Sequence, residues 1–286
     1  MQNPKSISNT LLTLVMLLSF NSFGQLSGDT YATAKNSGSA KFIYVYDGIP
    51  GFVESRDGKV TGVVADIMRN FETYLKDNKG ITVSSEFIYA KDGDFQNFMQ
   101  DVKSGKGGVF GLSNISISEE RMNNFKFSPP YMDNVSLLVS NDKIATLSSM
   151  DEISASFNGL KAYTLKGSSY HQRLIEIQAK YLPSLEIVFL SSETEIMEKL
   201  AADEKAFAIL DVNYYLEILA KKLNIKRHSV GDKKGDRFGI IMPKSSDWEP
   251  VIAEFFNSGF IDSSKYSQII TENLGNSARR LLDSFK

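Results

Sequence analysis

Cysteine is absent from the 286 residues. That excludes disulfides, thiolate zinc sites, a cysteine nucleophile and a lipid-modified N-terminal cysteine. Histidine is nearly absent: His171 and His228 stand alone and far apart, too few for a typical zinc site, so neither a metal nor a cofactor is expected. An excess of one charge is missing too. With 32 Lys plus Arg against 34 Asp plus Glu, the chain has no electrostatic footprint for nucleic acid or an anionic membrane surface. Long apolar runs are also lacking, since Leu11 to Phe20 covers ten residues, whereas a bilayer-spanning helix needs about twenty. What is present is 42% apolar and 23% charged residues, enough for real cores and too apolar for a disordered chain.

Lys5, the run Leu11 to Phe20 and the small residues Ser22 and Gly24 follow the three-region layout of a secretory signal peptide, with cleavage after Gly24. A retained hydrophobic anchor is the alternative reading. Removing residues 1–24 takes away Lys5 and no acid, which leaves the charge argument unchanged. The mature chain is expected to be soluble and exported.

A polar leader over 25–40 is expected to be flexible, and beyond it strands and helices alternate. Lys41 to Tyr46, Ile81 to Tyr89 and Gly108 to Leu112 read as strands; Val63 to Leu75, Asp94 to Lys103 and a segment opened by Ser118 read as helices. The same order returns with strands at Leu160 to Leu165, Leu185 to Leu190 and Ala206 to Leu210, and helices at Ser169 to Tyr181, Ser192 to Ala202 and Val212 to Leu223. Phe238 to Met242 is a further strand, and Trp248 to Lys286 holds helices assigned to the first half. The pattern predicts two α/β lobes, each a mostly parallel sheet flanked by helices: lobe 1 over 41–137, lobe 2 over 138–236, and a return to lobe 1 over 237–286. Two crossings follow, near Ser136 to Asn141 and near Gly231 to Gly239. The second, with Gly231, Gly235 and Gly239 among Lys233, Lys234 and Arg237, reads as a solvated, bendable connection. No aromatic residues interleave with those charges, which argues against a nucleic-acid patch.

Open parallel sheets bind ligands beyond the carboxyl ends of their strands. In lobe 1 that rule selects Tyr46, Asp47 and the segment Asn114 to Arg121; in lobe 2 it selects Gly167, Ser168, Ser169 and Asp211. Arg121 falls at about the third position of the helix that Ser118 caps, where the macrodipole disfavours a cation. It pairs either with Glu119 or Glu120 or with a ligand carboxylate that matches its planar fork. Ser169 with Gln172 three residues on has capping-box spacing, so the two serines either cap a helix or offer its start to an anion. Asp211 either caps the next helix or faces Arg121 as the second pole of a site for an α-amino acid zwitterion. His171, in the first turn beside this cleft, is a ligand contact or a surface residue.

These residues resemble the family 3 extracellular solute-binding proteins, the periplasmic amino-acid-binding components of ABC importers. Ser113-Asn114-Ile115-Ser116-Ile117-Ser118-Glu119-Glu120-Arg121 is similar to the family segment ending in Thr-x-x-Arg, and Phe127-Ser128-Pro129-Pro130-Tyr131 to the Phe-Ser-x-Pro-Tyr that follows it. Gly58-Lys59-Val60-Thr61-Gly62 with Asp66 resembles an upstream segment, and the likeness extends loosely from Lys41 to Gly275. It implies the two-lobed type II periplasmic binding protein fold. It also implies that Arg121 binds a ligand carboxylate with help from Ser116, Ser168 and Ser169, that Asp211 takes the amino group, that Asn114 faces the ligand and that Phe52 lines the cleft. Tyr46 and Asp47 are alternative contacts at the first strand. Val63, Val64, Val109 and Ala206 stand where the family usually has acids, and Gly107-Gly108 forms an unusual loop.

The implied function is capture of a small amino-acid-like ligand by hinge closure and delivery to a membrane ABC permease, by a periplasmic monomer that is not an enzyme. A sensing module for a membrane partner is a second possibility. A third is a cyclohexadienyl dehydratase-like enzyme on the same fold, for which Glu193, Asp133 and Asp47 are available acids but none is marked by spacing as a general acid.

Overall fold

The computed structural model describes residues 25–283, so the expected signal peptide lies outside the described residues. Helix α1 (Tyr31–Ser37) leads into β1 (Ser39–Tyr46), a small hairpin of β2 (Glu54–Arg56) and β3 (Lys59–Thr61), α2 (Val63–Lys79) and β4 (Thr82–Tyr89). Then come α3 (Phe95–Ser104), β5 (Val109–Leu112), α4 (Glu119–Asn124) and β6 (Phe125–Phe127). Strand β7 (Met132–Asn141) carries the chain into a second sheet, followed by α5 (Ile153–Ser156), β8 (Lys161–Leu165), α6 (Ser169–Lys180), β9 (Glu186–Leu190), α7 (Glu193–Ala202), β10 (Ala206–Asp211), α8 (Val212–Lys221) and β11 (Ile225–Arg227). Strand β12 (Lys233–Phe238) leads back to β13 (Ile241–Pro243), α9 (Glu249–Phe255) and α10 (Ser264–Asp283).

The first sheet has the order β4-β1-β5-β13-β6 and the second β11-β7-β10-β8-β9, with β12 also paired to β7. The central neighbours β1 with β4 and β5, and β8 with β9 and β10, are parallel. This is the two-lobed type II architecture. Parallel strands covered on both faces need continuous apolar sequence, and β5 and β10 are buried along their whole length. Helix starts are fixed locally: Asp94, Ser118, Ser168 and Ser192 each accept a hydrogen bond from the amide three residues on, capping α3, α4, α6 and α7.

Lobe 1 is centred on an aromatic cluster in which Phe42 meets Trp248 at 4.7 Å and Phe110 at 4.9 Å between ring centroids. The residues standing in place of the family's usual acids are packing groups, since Val63, Val64 and Val109 of lobe 1 and Ala206 of lobe 2 are fully buried. Lobe 2 has its own cluster around Phe157 and Phe207, 4.9 Å apart. There His228 accepts from Leu147 N–H through Nδ1 at 3.1 Å, so Nε2 carries the proton toward Ser140 Oγ at 2.7 Å. Burial, helped by Lys226, pushes its pKa down to about 4, and the ring works as a neutral packing group.

Two expectations need correction. The leader is not a loose tail: it contains α1, capped by Thr30 at its start, with Ala34 fully buried. Lys106 N donates to Leu26 O at 3.0 Å, Gly28 N to Lys106 O at 3.1 Å and Trp248 Nε1 to Asp29 O at 2.8 Å. This seam explains Gly107-Gly108, because a Cβ on Gly107 would sit 2.3 Å from Gly28 O and one on Gly108 would press on Phe42 and Asp29. The glycine-containing second crossing is not a bendable loop either. Its residues form β12, antiparallel to β7 with a bulge between Lys234 and Arg237. Gly231 serves close packing, since a Cβ there would meet Leu138 at 2.4 Å.

Helix α9 packs on α2. Helix α10 touches α2 of lobe 1, where Asn273 Nδ2 donates to Asp66 Oδ2 at 2.9 Å. It also touches α8 of lobe 2, and its backbone breaks from helical geometry at Gly275.

Because Trp248 is the only tryptophan and is buried beneath the leader, its emission reports that seam. Deleting residues 25–38 is expected to shift the emission to the red and to lower stability by about 2–3 kcal/mol, the scale of one large exposed side chain. Emission unchanged after the deletion would show that the leader does not shield the ring.

Candidate ligand-binding site between the lobes

Arg121 sits on α4, where Ser118 Oγ accepts from its backbone amide at 3.3 Å. Glu119 and Glu120 on the same turn are exposed, while Arg121 turns inward and is 9% exposed. Its guanidinium donates to Ser116 O at 3.0 Å within lobe 1 and to Gly167 O at 3.4 Å across the cleft, and lies 5.7 Å from the Phe95 ring centroid. A cation at a helix N-terminus is electrostatically misplaced unless something draws it inward. Here it lines a cavity of about 220 Å³ with Ser136, Ser168, Ser169 and Tyr170.

The facing helix α6 starts one residue earlier than its capping-box spacing implies. Ser168 Oγ, not Ser169, is the cap and accepts from His171 N at 3.1 Å; Gly167 N in turn donates to His171 Nδ1 at 3.3 Å. His171 is thereby occupied in the cap, with its ring 4.8 Å from Phe189. Ser169 is left facing the other lobe, its Oγ 3.4 Å from Ser116 Oγ.

Asp211 begins α8 but makes no side-chain cap. Its carboxylate, 2% exposed, instead takes hydrogen bonds from Asn134 Nδ2 and Tyr170 Oη on one oxygen and from Asn114 Nδ2, across the cleft, on the other. A carboxylate offers about four acceptor sites, and these partners orient it. Tyr170 thus bonds to Asp211 and also lines the cavity beside Arg121.

Beside them lies a third element. Asp47 at the end of β1 and Glu193 at the start of α7 are 7% and 8% exposed. Ser113 Oγ donates to Asp47 Oδ2 at 2.9 Å, while Oδ1 is buried with no hydrogen-bond partner. Burial pushes the Asp47 carboxyl up to about 7 despite that hydroxyl. Burial and then repulsion from Asp47 push Glu193 up to about 8, against the pull of its own amide, the Tyr214 hydroxyl and Arg121. Tyr214 is raised in turn by Glu193, Asp47 and Asp211, after burial. Asn213 spans the cleft to Pro50 O at 3.4 Å, its own Oδ1 without a partner.

Of the residues selected from sequence, Arg121, Asp211, Asn114, Ser116, Ser168 and Ser169 come together at the lobe junction. Phe52 does not line it: the ring is fully buried in the core against Phe238 and Tyr131, at 5.6 and 6.5 Å. Between the alternatives at β1, Asp47 reaches the junction, whereas Tyr46 packs against Tyr89 at 5.2 Å. Asp133 lines a different and larger cavity of about 520 Å³ behind the crossing strands with Arg237, Tyr266 and Arg279, away from the paired poles. Sequence reasoning missed Asn134 and Asn213. The available signal for Asn134 was a polar residue ahead of the apolar stretch of β7, followed by uninterrupted burial.

Comparisons with known proteins accord with the two-lobed fold. The model of one family, the bacterial extracellular solute-binding proteins of family 3, matches residues 44–271. Among solved structures, an ancestral arginine-binding protein bound to arginine superimposes with a TM-score of 0.66 at 18% identity, covering 82% of this chain and 98% of that one. The GluR0 ligand-binding core from Nostoc punctiforme, in complex with L-glutamate, gives 0.61 at 18% identity, with 82% and 99% covered. An ancestral amino-acid-binding protein described as a precursor of cyclohexadienyl dehydratase gives 0.63 at 17% identity, with 85% and 98% covered. No curated protein sequence matches the chain.

Burial makes Asp47 and Glu193 hold protons in the folded protein that they release on unfolding. Both groups are raised from about 4 to about 7 and 8, so their contribution is complete below about pH 4 and is lost as pH climbs through 8. Melting temperature of the ligand-free protein is thus expected to fall between pH 5 and pH 9, with a flatter profile in Asp47→Asn/Glu193→Gln. An identical slope in that double variant would sink the assignment.

Proposed function

The chain belongs to the bacterial extracellular solute-binding proteins of family 3, and from that premise we propose that it captures an α-amino acid or related zwitterion between its lobes and delivers it to an ABC permease outside the cytoplasm. The observation that supports the reading is that Arg121 of lobe 1 and Asp211 of lobe 2 are both buried where the lobes meet, with Tyr170 bonded to Asp211 and lining the cavity beside Arg121. The guanidinium takes the carboxylate, helped by Ser116 and by the amides at the start of α6, where Ser169 is not used as the cap. Asp211, pre-oriented by three donors, takes the ammonium. Ordering these groups beforehand lowers what binding must supply. Charge-assisted hydrogen bonds contribute about 1.5–3 kcal/mol each, so three or four support the roughly 8 kcal/mol of micromolar affinity.

Closure follows from the same contacts. Each pole sits on a different lobe, so a zwitterion that touches both binds the closed state more tightly than the open one and shifts the population toward it. Solved neighbours bound to arginine and to L-glutamate support an amino acid as ligand and leave its side chain open. Binding alone requires no general acid. One observation favours a second reading: Glu193 is protonated near neutral pH, as a dehydratase acid needs to be, and a precursor of such an enzyme shares the fold. Incubation with arogenate separates the two, because a binding protein returns it unchanged.

Thermal unfolding against a panel of α-amino acids tests the main reading. A ligand at a hundred times its dissociation constant adds about 2.7 kcal/mol, or about 5 °C or more for a protein of this size. The shift is expected to disappear in Arg121→Ala and in Asp211→Ala. A shift indifferent to both substitutions would remove the two poles from the site.

A further inference from the structure

The crossing between the lobes is a ribbon with a cavity on each face. Strands β7 and β12 pair Ser136 with Lys233 and Val135 with Lys234. Side chains alternate along a strand, and here the alternation divides the two pairs. Ser136 and Lys233 line the cavity of about 220 Å³ beside Arg121, while Val135 and Lys234 line the cavity of about 520 Å³ behind the ribbon. Helix α10 contributes Tyr266, Ser267, Ile270 and Arg279 to the rear wall. The rear volume lies within the roughly 300–1,000 Å³ typical of small-molecule sites, and capture of a zwitterion between the lobes gives it no occupant.

Its lining has two parts. Met132, Val135 and Ile270 are buried apolar groups, and the tyrosines of the wall have committed their hydroxyls: Tyr131 Oη donates to Ser113 O at 3.0 Å and Tyr266 Oη to Tyr131 O. Such a wall is better covered by carbon than by water. The remaining part is charged and exposed, with Lys234, Arg237 and Arg279 against Asp133 and Asp262. Arg237 stands opposite Asp133 in the register of the ribbon, so those two offset each other. Lys234 and Arg279 then outweigh Asp262 by one positive charge.

We propose that the rear cavity is a second ligand site, for a small amphipathic monocarboxylate whose apolar body lies against Met132, Val135 and Ile270 and whose carboxylate meets Lys234 and Arg279. Its occupant acts on the cleft through the ribbon. Asn134, next to Val135, donates to Asp211, and Tyr131 reaches from the rear wall to Ser113, whose neighbour Asn114 donates to the same carboxylate across the cleft. The cavity has its shape with those contacts made, so a molecule that fits it favours the closed arrangement and strengthens binding between the lobes. The site itself is independent of the zwitterion reading; the coupling rests on it.

Calorimetric titration of the purified protein with decanoate, and with decylamine as the same body carrying the opposite charge, tests the site. Decanoate is expected to bind saturably, and decylamine about tenfold or more weakly. Ser267→Trp, which fills the cavity from α10, is expected to abolish decanoate binding, and Lys234→Glu, at an exposed position, to weaken it about threefold or more. No binding, equal binding of the two amphiphiles, or decanoate binding indifferent to both substitutions would overturn the site. Titrations with L-arginine and with L-glutamate, with and without saturating decanoate, test the coupling. Decanoate is expected to tighten amino-acid binding by about fivefold, and the amino acid to tighten decanoate binding by the same factor. Amino-acid binding unmoved by decanoate would overturn the coupling. If decanoate binds and no α-amino acid does, the rear site stands and the zwitterion reading falls.

Discussion

Asp211 opens a helix and does not cap it. An aspartate at that position ordinarily spends its carboxylate on the amides of the first turn. Here it is turned into the lobe junction and held by Asn134, Tyr170 and Asn114. Much else follows from that diversion. Asn114 lies in lobe 1 and Asn134 on a strand that runs between the sheets, so one carboxylate ties together both lobes and the crossing. Tyr170 comes from the first turn of α6, which places the helix start and Ser169 opposite Arg121. A single buried side chain thus sets the geometry around it, because each donor is more costly to leave unpaired in a low-dielectric junction than in water.

The alternation of strand and helix was legible because parallel strands, buried on both faces, leave unbroken apolar runs such as Ala206 to Leu210, and serines mark the helix starts. Arg121 and Asp211 were legible for a related reason, since strand ends and helix starts are where polar residues interrupt that pattern. What stayed hidden depends on three-dimensional neighbours. Phe52 looks like any aromatic near a cleft until Phe238 and Tyr131 close over it. The capping-box spacing points to Ser169 as the cap, and only the fold gives that role to Ser168 and turns Ser169 toward Ser116 of the other lobe. The leader reads as polar and loose because its partners, Gly107-Gly108 and Trp248, lie far away in the chain.

The glycines of the second crossing carry a similar lesson. Several glycines among lysines suggest a bendable segment, yet β12 is a paired strand and Gly231 is small because Leu138 presses on it. Bending between the lobes is thereby assigned to two adjacent antiparallel strands with a bulge, which twist together rather than fold like a loop. That coupling favours a defined rotation of one lobe over the other. It suits the proposed zwitterion site, whose two poles, Arg121 and Asp211, sit on different lobes.

Helix α10 adds a mechanical element. It rests on α2 and on α8, one from each lobe, so the joint is a jaw with a strap across its back. A rotation about β7 and β12 would slide that strap along one lobe or flex it, and the break from helical geometry at Gly275 is the place where it would flex. The travel of the jaw is therefore bounded by the length and seating of the strap, and the resistance to gaping is set at the rear of the molecule, remote from the cleft.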